Sequence, residues 1–399
     1  MKILVTDEEF PWPLDSGKRI RSFNLISRLV SRHEVYYLAY GVSDSEGFDH
    51  LKQCGITPLP VPRQVPRKSG FVFYLRLLRN LFSPWPYIVS SHYSCLFDSA
   101  LKVEIEMRRP DLVLCEWTPY AIFLSDLPGP RKMIVAHNIE HRIWRRYYDN
   151  ESNPIKRWYI GLQMRKLERF ERQAFAWADA ATAVSESEAE IIRSFTPGLP
   201  VSVIENGVDL GYFAPQPPPA NSSRLVFVGA LDWRPNQDAV RHFVGDILPI
   251  LNGMGIQIEI DLIGSNPPPE LVALSRRPGV NLVGHVQDVR PYVARAAVYV
   301  VPLRIGGGTR LKILEALAMK KAVVATRVGA EGLDVSDGEN IMLADTPETF
   351  AGKIKQILED SELARRLGEN GRRLVEQSYG WDHLAGKLDK AITNLVGTK

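Results

Sequence analysis

The stretch V-Y-V-V-P-L-R-I-G-G-G-T-R-L-K-I-L-E-A-L-A-M-K-K-A-V-V-A-T, from Val298 to Thr326, constrains the fold of this chain more than any other. Val298 to Leu303 is a continuous apolar, β-branched run, as expected of a strand covered on both faces. Consecutive glycines follow, Gly306, Gly307 and Gly308, which let a ligand approach the backbone closely. Thr309 is placed to cap a helix, and the apolar positions Leu311, Leu314, Leu317 and Ala318 recur at helical spacing. Ala322 to Thr326 then reads as the next strand. Strand, loop, helix and strand make a βαβ unit, which implies a parallel sheet. A glycine loop that opens a helix at the carboxyl end of such a strand is an anion site, because free N–H groups and the helix dipole point at the ligand.

Two charged side chains on that helix, Lys312 and Glu315, are three residues apart and share a face. Lys312 lies within a turn of the anion site, where a point charge suits phosphate. Glu315 lies deeper, where a carboxylate can accept hydrogen bonds from a ribose diol. The same residues also fit a plain loop followed by a surface ion pair, and local pattern does not choose between the two.

The 399 residues suggest two domains or one large one. Hydrophobic content of 45% and charged content of 24% fit an ordinary soluble protein. A net charge of +3 is too small to imply nucleic acid by itself, and no nucleic-acid partner is expected. No apolar run reaches about 18 residues, so no membrane span is expected. Met1 to Thr6 runs straight into Asp7-Glu8-Glu9 and reads as a first strand, not a signal peptide. Cys54, Cys95 and Cys115 are odd in number and lack metal-ligand spacing; they are expected to be buried thiols of a reducing compartment.

From the start of the chain, Lys2–Thr6 reads as a strand, then a loop with Gly17, a helix from Lys18 to Ser31, and a strand over His33–Ala39. The first loop lacks G-x-G-x-x-G, which argues against a dehydrogenase. Residues 63–93 mix Arg63, Arg67, Lys68, Arg76 and Arg79 with Phe71, Phe73, Tyr74, Leu78, Phe82 and Trp85. That texture fits either a helix resting on an anionic membrane or an amphipathic helix packed on a sheet. Asp111–Glu116 and Lys132–Ala136 read as buried strands, the second ending in H-N-I-E at His137. Ligands of parallel α/β sheets bind beyond the carboxyl ends of the strands, so His137 is placed for chemistry. Alternatively, His137 and Asn138 cap the helix that begins near Ile139. Asn206-Gly207-Val208-Asp209 and the proline cluster Pro215–Pro219 mark a domain boundary. Further strands are expected over 225–229, 258–263 and 280–286, and helices over 346–359, 361–377 and 381–395.

G-G-G-T-R-L-K-I-L-E-A-L-A, followed by V-V-A-T and G-A-E-G-L, resembles the donor-binding region of glycosyltransferase family 4. The upstream H-E-V, H-N-x-E and N-G-V-D extend the resemblance along nearly the whole chain. It implies the GT-B fold, an α/β architecture of two Rossmann-like domains facing across a cleft, with a C-terminal helix crossing back to the first. The expected boundaries are 1–205 for an acceptor-binding domain, joined by the closing helix 381–399, and 206–380 for a nucleotide-sugar-binding domain. The resemblance places Gly17 opposite the donor diphosphate and His137 near the donor sugar. It puts His285 and Val286 around the base, Gly306, Gly307, Gly308 and Thr309 at the diphosphate, and Glu315 at the ribose. Two departures stand out. The family's diphosphate-clamping Arg and Lys fall on Ala230 and Pro235, so Arg234, Arg310 and Lys312 become candidates for the missing charge, with Arg310 able to bind phosphate bidentately. The first of the family's two glutamates falls on Gly307, which leaves the choice of sugar open.

The implied activity is transfer of a sugar from a nucleotide-diphosphate sugar to a hydroxyl of a saccharide or lipid-linked saccharide, with retention of configuration, in polysaccharide or glycolipid assembly. The implied catalytic groups are His137, Arg310 and Lys312: cations and the helix terminus meet the charge of the departing diphosphate, and the acceptor attacks on the same face. Nothing resembles an Asp-x-Asp metal site, so no metal or other cofactor is expected. The expected location is the cytoplasm, with residues 63–93 a candidate contact with the inner face of the cell membrane. Two other readings are open: an epimerase or hydrolase of the same fold that consumes donor without an acceptor, and a non-catalytic nucleotide-sugar-binding protein.

Overall fold

The computed structural model describes residues 1–62, 70–216, 223–305 and 311–397. The chain divides into two compact units, Met1–Glu205 with Leu384–Lys399, and Asn206–His383.

The first unit contains β1 (Lys2–Asp7), β2 (Glu34–Tyr40), β3 (Thr57–Val61), β4 (Leu112–Cys115), β5 (Arg131–Val135), β6 (Ala180–Ala183) and β7 (Val201–Val203). They form one sheet in the order β3-β2-β1-β4-β5-β6-β7, with every neighbouring pair parallel. The central strands are apolar runs because helices cover both faces; Ile3, Leu4, Val5 and all of β4 are fully buried. The T-P-L-P-V sequence of β3 gave no strand signal, since proline donates no ladder hydrogen bond. It is tolerated because β3 is an edge strand.

The second unit contains β8 (Arg224–Val228), β9 (Glu259–Ile263), β10 (Val280–Gly284), β11 (Val298–Val301), β12 (Ala322–Ala325) and β13 (Met342–Leu343). Their order is β10-β9-β8-β11-β12-β13, again parallel throughout. The helix Leu311–Ala318 connects β11 to β12 and buries Ile313, Leu314, Ala316, Leu317 and Ala318. More of it is buried than the apolar stripe read from the sequence.

Each sheet reverses direction once. The chain passes from β1 out to β3 and returns to β4 beside β1; it passes from β8 out to β10 and returns to β11 beside β8. The crevices beyond the carboxyl ends of β1/β4 and β8/β11 are therefore the topological switch points where such sheets bind ligands.

The last helix, Trp381–Gly397, joins the first unit from Leu384 onward. Leu384, Leu388 and Ile392 are buried. Asp389 accepts from Arg32 at 2.5 Å and from His33 Nε2 at 2.6 Å, and Lys387 donates to Glu205 at 2.9 Å. Among the described residues no helix is long and apolar enough to cross a membrane. The cysteine expectation needs correction: Cys115 is buried, but Cys54 is half-buried and Cys95 is exposed. Cys95 opens the helix Cys95–Arg108 just after its N-cap Ser94, on a turn that faces solvent.

Candidate active site

In the first unit, the two strands flanking the switch point and the neighbouring β5 deliver ionisable groups at or just past their carboxyl ends. Asp7 ends β1, Glu116 follows β4 and His137 follows β5; all are buried. His137 Nε2 donates to Glu116 Oε2 at 3.0 Å, and Ser22 Oγ donates to the same oxygen at 2.5 Å. Burial pushes the Glu116 carboxyl up, but the bonds from His137 and Ser22 and the charge of Arg21 outweigh it and hold it below its usual range. Burial pushes His137 down, and although Glu116 opposes this, the nearby Arg21 and Lys18 charges help keep the imidazole neutral. With Nε2 donating, Nδ1 carries the lone pair. That nitrogen and Glu116 Oε1 are buried without a hydrogen-bond partner among the described residues, and such orphans need a reason. A ligand hydroxyl is one.

Asp7 is fully engaged: Lys18 Nζ donates to it at 2.5 Å, Tyr37 Oη at 2.7 Å and the Glu8 backbone N–H at 2.6 Å. Burial nevertheless raises its pKa to about 7, against the pull of Lys18. Lys18 also donates to Glu8 at 2.9 Å and is spent on these two carboxylates. Gly17 opens the helix Gly17–Leu29, capped by Ser16 Oγ, which accepts from the Arg19 N–H. The helix after His137, Glu140–Asn150, is capped by neither His137 nor Asn138, which corrects that alternative: its N-cap is Ile139, with no side-chain bond. Instead Glu171 reaches in from the helix Pro154–Ala176 and accepts the N–H groups of Glu140 at 2.7 Å and His141 at 3.3 Å. A buried carboxylate there complements the positive end of the helix, and it leaves His137 free of structural capping.

In the second unit, Lys312 projects to the β8 side of the switch point. Its Nζ donates to Asn236 Oδ1 at 2.9 Å, and Asn236 Nδ2 donates to Ala230 O at 2.8 Å. The ammonium also lies 4.8 Å from the Phe227 ring centroid. Among the described residues Lys312 makes no ion pair with Glu315, so the surface-pair alternative is not what forms. Gly229, just after β8, makes the approach possible: a Cβ there would sit 2.6 Å from Lys312 Nζ and 2.7 Å from Asn236 Nδ2. The Glu315 carboxylate, on a half-buried residue, has no hydrogen-bond partner among the described residues, and burial raises its pKa to about 7 against the pull of Lys312. A carboxylate placed this way is short of donors, which the hydroxyls of a diol would supply.

Arg234 opens the helix Arg234–His242 and is exposed, with no side-chain hydrogen bond or ion pair among the described residues. His285 follows β10 and is exposed, while Val286 packs against the core. Gly306, Gly307, Gly308, Thr309 and Arg310 lie outside the described residues. Sequence reasoning singled out His137, Lys312 and Glu315 but gave no role to Glu116, Ser22, Asn236 or Gly229. The signal for Glu116 was available: a charged residue closing an apolar strand, the same pattern that marked His137.

A family model described as Glycosyltransferase Family 4 matches residues 19–212, and one described as Glycosyl transferases group 1 matches residues 222–360. The chain is similar to an uncharacterized 44.6 kDa protein of the cps region of Klebsiella pneumoniae, 21% identical over 95% of this chain and 96% of that one. It is also similar to the MMP alpha-(1->4)-mannosyltransferase of Mycolicibacterium hassiacum, 26% identical over 61% of this chain and 60% of that one. Among solved structures, a sucrose-phosphate synthase from Thermosynechococcus elongatus superposes with a TM-score of 0.71 at 18% identity, covering 100% of both chains. Anabaena HepE in complex with UDP and glucose gives 0.66 at 14% identity, covering 98% of this chain and 99% of that one. At these identities the structural likeness speaks for the fold, which is GT-B.

Proposed function

The chain belongs to glycosyltransferase family 4, and from that premise we propose that it moves a sugar from a nucleotide-diphosphate donor to a hydroxyl of a saccharide or lipid-linked saccharide, with retention of configuration. The observation that carries this reading is the Lys312–Asn236–Gly229 arrangement at the switch point of the second sheet, with Glu315 one turn along the same helix. It offers a cation for diphosphate and an underused carboxylate for ribose. Two of the proteins named above fit the same reading, HepE with its bound UDP and glucose and the Klebsiella protein with its place in a cps region. A polysaccharide or glycolipid product follows.

Within this reading Lys312, joined by Arg310 and the glycines Gly306 to Gly308 with Thr309, neutralises the departing diphosphate. Arg234 supplies additional positive charge, and His285 and Val286 border the base. Gly17 serves the diphosphate and His137 the sugar, its neutral Nδ1 accepting from a hydroxyl. The leaving phosphate oxygen takes the acceptor proton, so neither a protein nucleophile nor a metal ion is required; transfer should survive EDTA. The acceptor's lipid brings the first unit to a membrane through residues 63–93.

The deciding measurement is thermal stabilisation by a panel of UDP- and GDP-sugars, since a ligand bound only to the folded state raises its stability. At least one donor should stabilise the protein, and Lys312→Ala and Glu315→Ala should lose that effect. Variants that bind every donor as the parent does would remove the donor site from this helix.

A further inference from the structure

The helix Phe71–Asn80 wears its apolar face outward. Phe71, Leu75 and Leu78 recur at i, i+4 and i+7, and the stripe continues into Phe82. Phe71 is 82% exposed and Phe82 89%, with Tyr74 exposed alongside. A contiguous apolar stripe in water marks a contact surface. The buried side of the helix is anchored by Asn80, whose Nδ2 donates to Trp85 O at 3.0 Å and Ser90 Oγ at 2.9 Å, while its Oδ1 accepts from Gln163 at 2.9 Å. The outward face is thus held outward by a satisfied polar network.

Beside the stripe lies a pocket of about 400 Å³ lined by Arg76, Arg79, Asn80, Ser83, Tyr87, Ser90 and Ser91, with no carboxylate among the described residues. Arg76 and Arg79 are one turn apart and exposed, and neither has a side-chain hydrogen bond or ion pair among the described residues. Two guanidiniums without such partners, set among hydroxyls, suit a phosphate. Apolar rings and cations on one helix match the boundary between acyl chains and anionic headgroups.

We propose that the helix Phe71–Asn80 docks on an anionic phospholipid bilayer, with a lipid phosphate seated between Arg76 and Arg79 and the Phe71–Phe82 stripe in the acyl boundary. A protein partner explains the stripe but not the carboxylate-free pocket of cations and hydroxyls beside it. The inference deepens the proposed membrane contact of residues 63–93 and rests on that reading.

The test is flotation of the full chain with vesicles of phosphatidylcholine alone and of phosphatidylcholine with phosphatidylglycerol. The parent should float with the second and not the first, and added salt should release it. Arg76→Gln with Arg79→Gln should lower partitioning on the order of tenfold, and Phe71→Ser with Phe82→Ser should abolish it. Arg276→Gln with Arg366→Gln, which removes two exposed arginines of the second unit, should change nothing. Donor-induced thermal stabilisation, measured on every variant, should be unaltered, so a parent that binds donor but does not float sinks the docking proposal and leaves the donor site standing. The proposal fails if the parent ignores anionic vesicles at low salt, or if the Arg76/Arg79 variant floats like the control. It also fails if inorganic phosphate displaces the vesicles completely, or if the Phe71/Phe82 variant turns a dimer into a monomer with no vesicle binding in the parent.

Discussion

His137 donates its Nε2 proton to Glu116 at 3.0 Å, and this one bond fixes which imidazole nitrogen is left to accept. Glu116 cannot turn away, because Ser22 Oγ binds the same oxygen and the carboxylate is fully buried. The pair is a preset tautomer at the carboxyl end of a central strand.

Glu116→Gln keeps the volume but removes the charge that selects this tautomer. Transfer should fall roughly tenfold in kcat with little change in donor KM, and His137→Ala should cost on the order of a hundredfold, about 2.7 kcal/mol of transition-state stabilisation. Initial rates over a donor concentration series check both. An equal rise in KM for the two variants would place His137 outside the reacting centre.

Glu315 gives a pH signature. Its folded pKa of about 7 lies above the ordinary 4.5, so the folded state disfavours the ionised form. Below pH 4.5 the group is protonated whether folded or not, and burial costs nothing; as pH rises through 7 the penalty appears in full. Glu315→Gln should therefore raise the melting temperature at pH 8, by on the order of 1–3 kcal/mol of stability, and leave it unchanged at pH 4. Donor-induced stabilisation should move the other way, being lost in the variant at every pH. Melting curves at the two pH values, with and without UDP-sugar, separate these effects.

Two glycines near the same switch point should respond differently. A Cβ at Gly229 meets the ends of Lys312 and Asn236, which can swing aside, so Gly229→Ala should cost under about 1 kcal/mol of stability yet weaken donor binding roughly tenfold. A Cβ at Gly264 would lie 2.0 Å from the Gly229 carbonyl oxygen, which is backbone and cannot swing. Gly264→Ala should destabilise by about 3 kcal/mol or more. Urea unfolding and calorimetric titration with UDP distinguish the two outcomes.

The last helix should be part of the first unit's stability. Leu388 is buried and its neighbour Asp389 binds Arg32 and His33. Leu388→Ala should cost about 2–4 kcal/mol, and Asp389→Ala less, since Arg32 is largely exposed. Denaturation followed by the fluorescence of tryptophans in the first unit reads both.

Strand and helix alternation was legible in the sequence because periodicity is local. The apolar runs ending in Asp7, Glu116 and His137 reported strands whatever their neighbours, and the pattern after Gly308 reported the helix Leu311–Ala318. The motifs carried the family on the same grounds. The edge strand Thr57–Val61 stayed hidden because its prolines are acceptable only at a sheet edge, a position no local window contains. Only the tertiary structure decided that Glu116, Ser22 and His137 meet, and that Lys312 turns to Asn236, 76 residues away, rather than to Glu315 three residues away. Such contacts depend on strand order and crossover. Composition also could not say whether the apolar side of Phe71–Asn80 is covered or bare. Hydrophobicity belongs to a residue, but exposure belongs to what packs against it, and here nothing among the described residues covers Phe71 or Phe82.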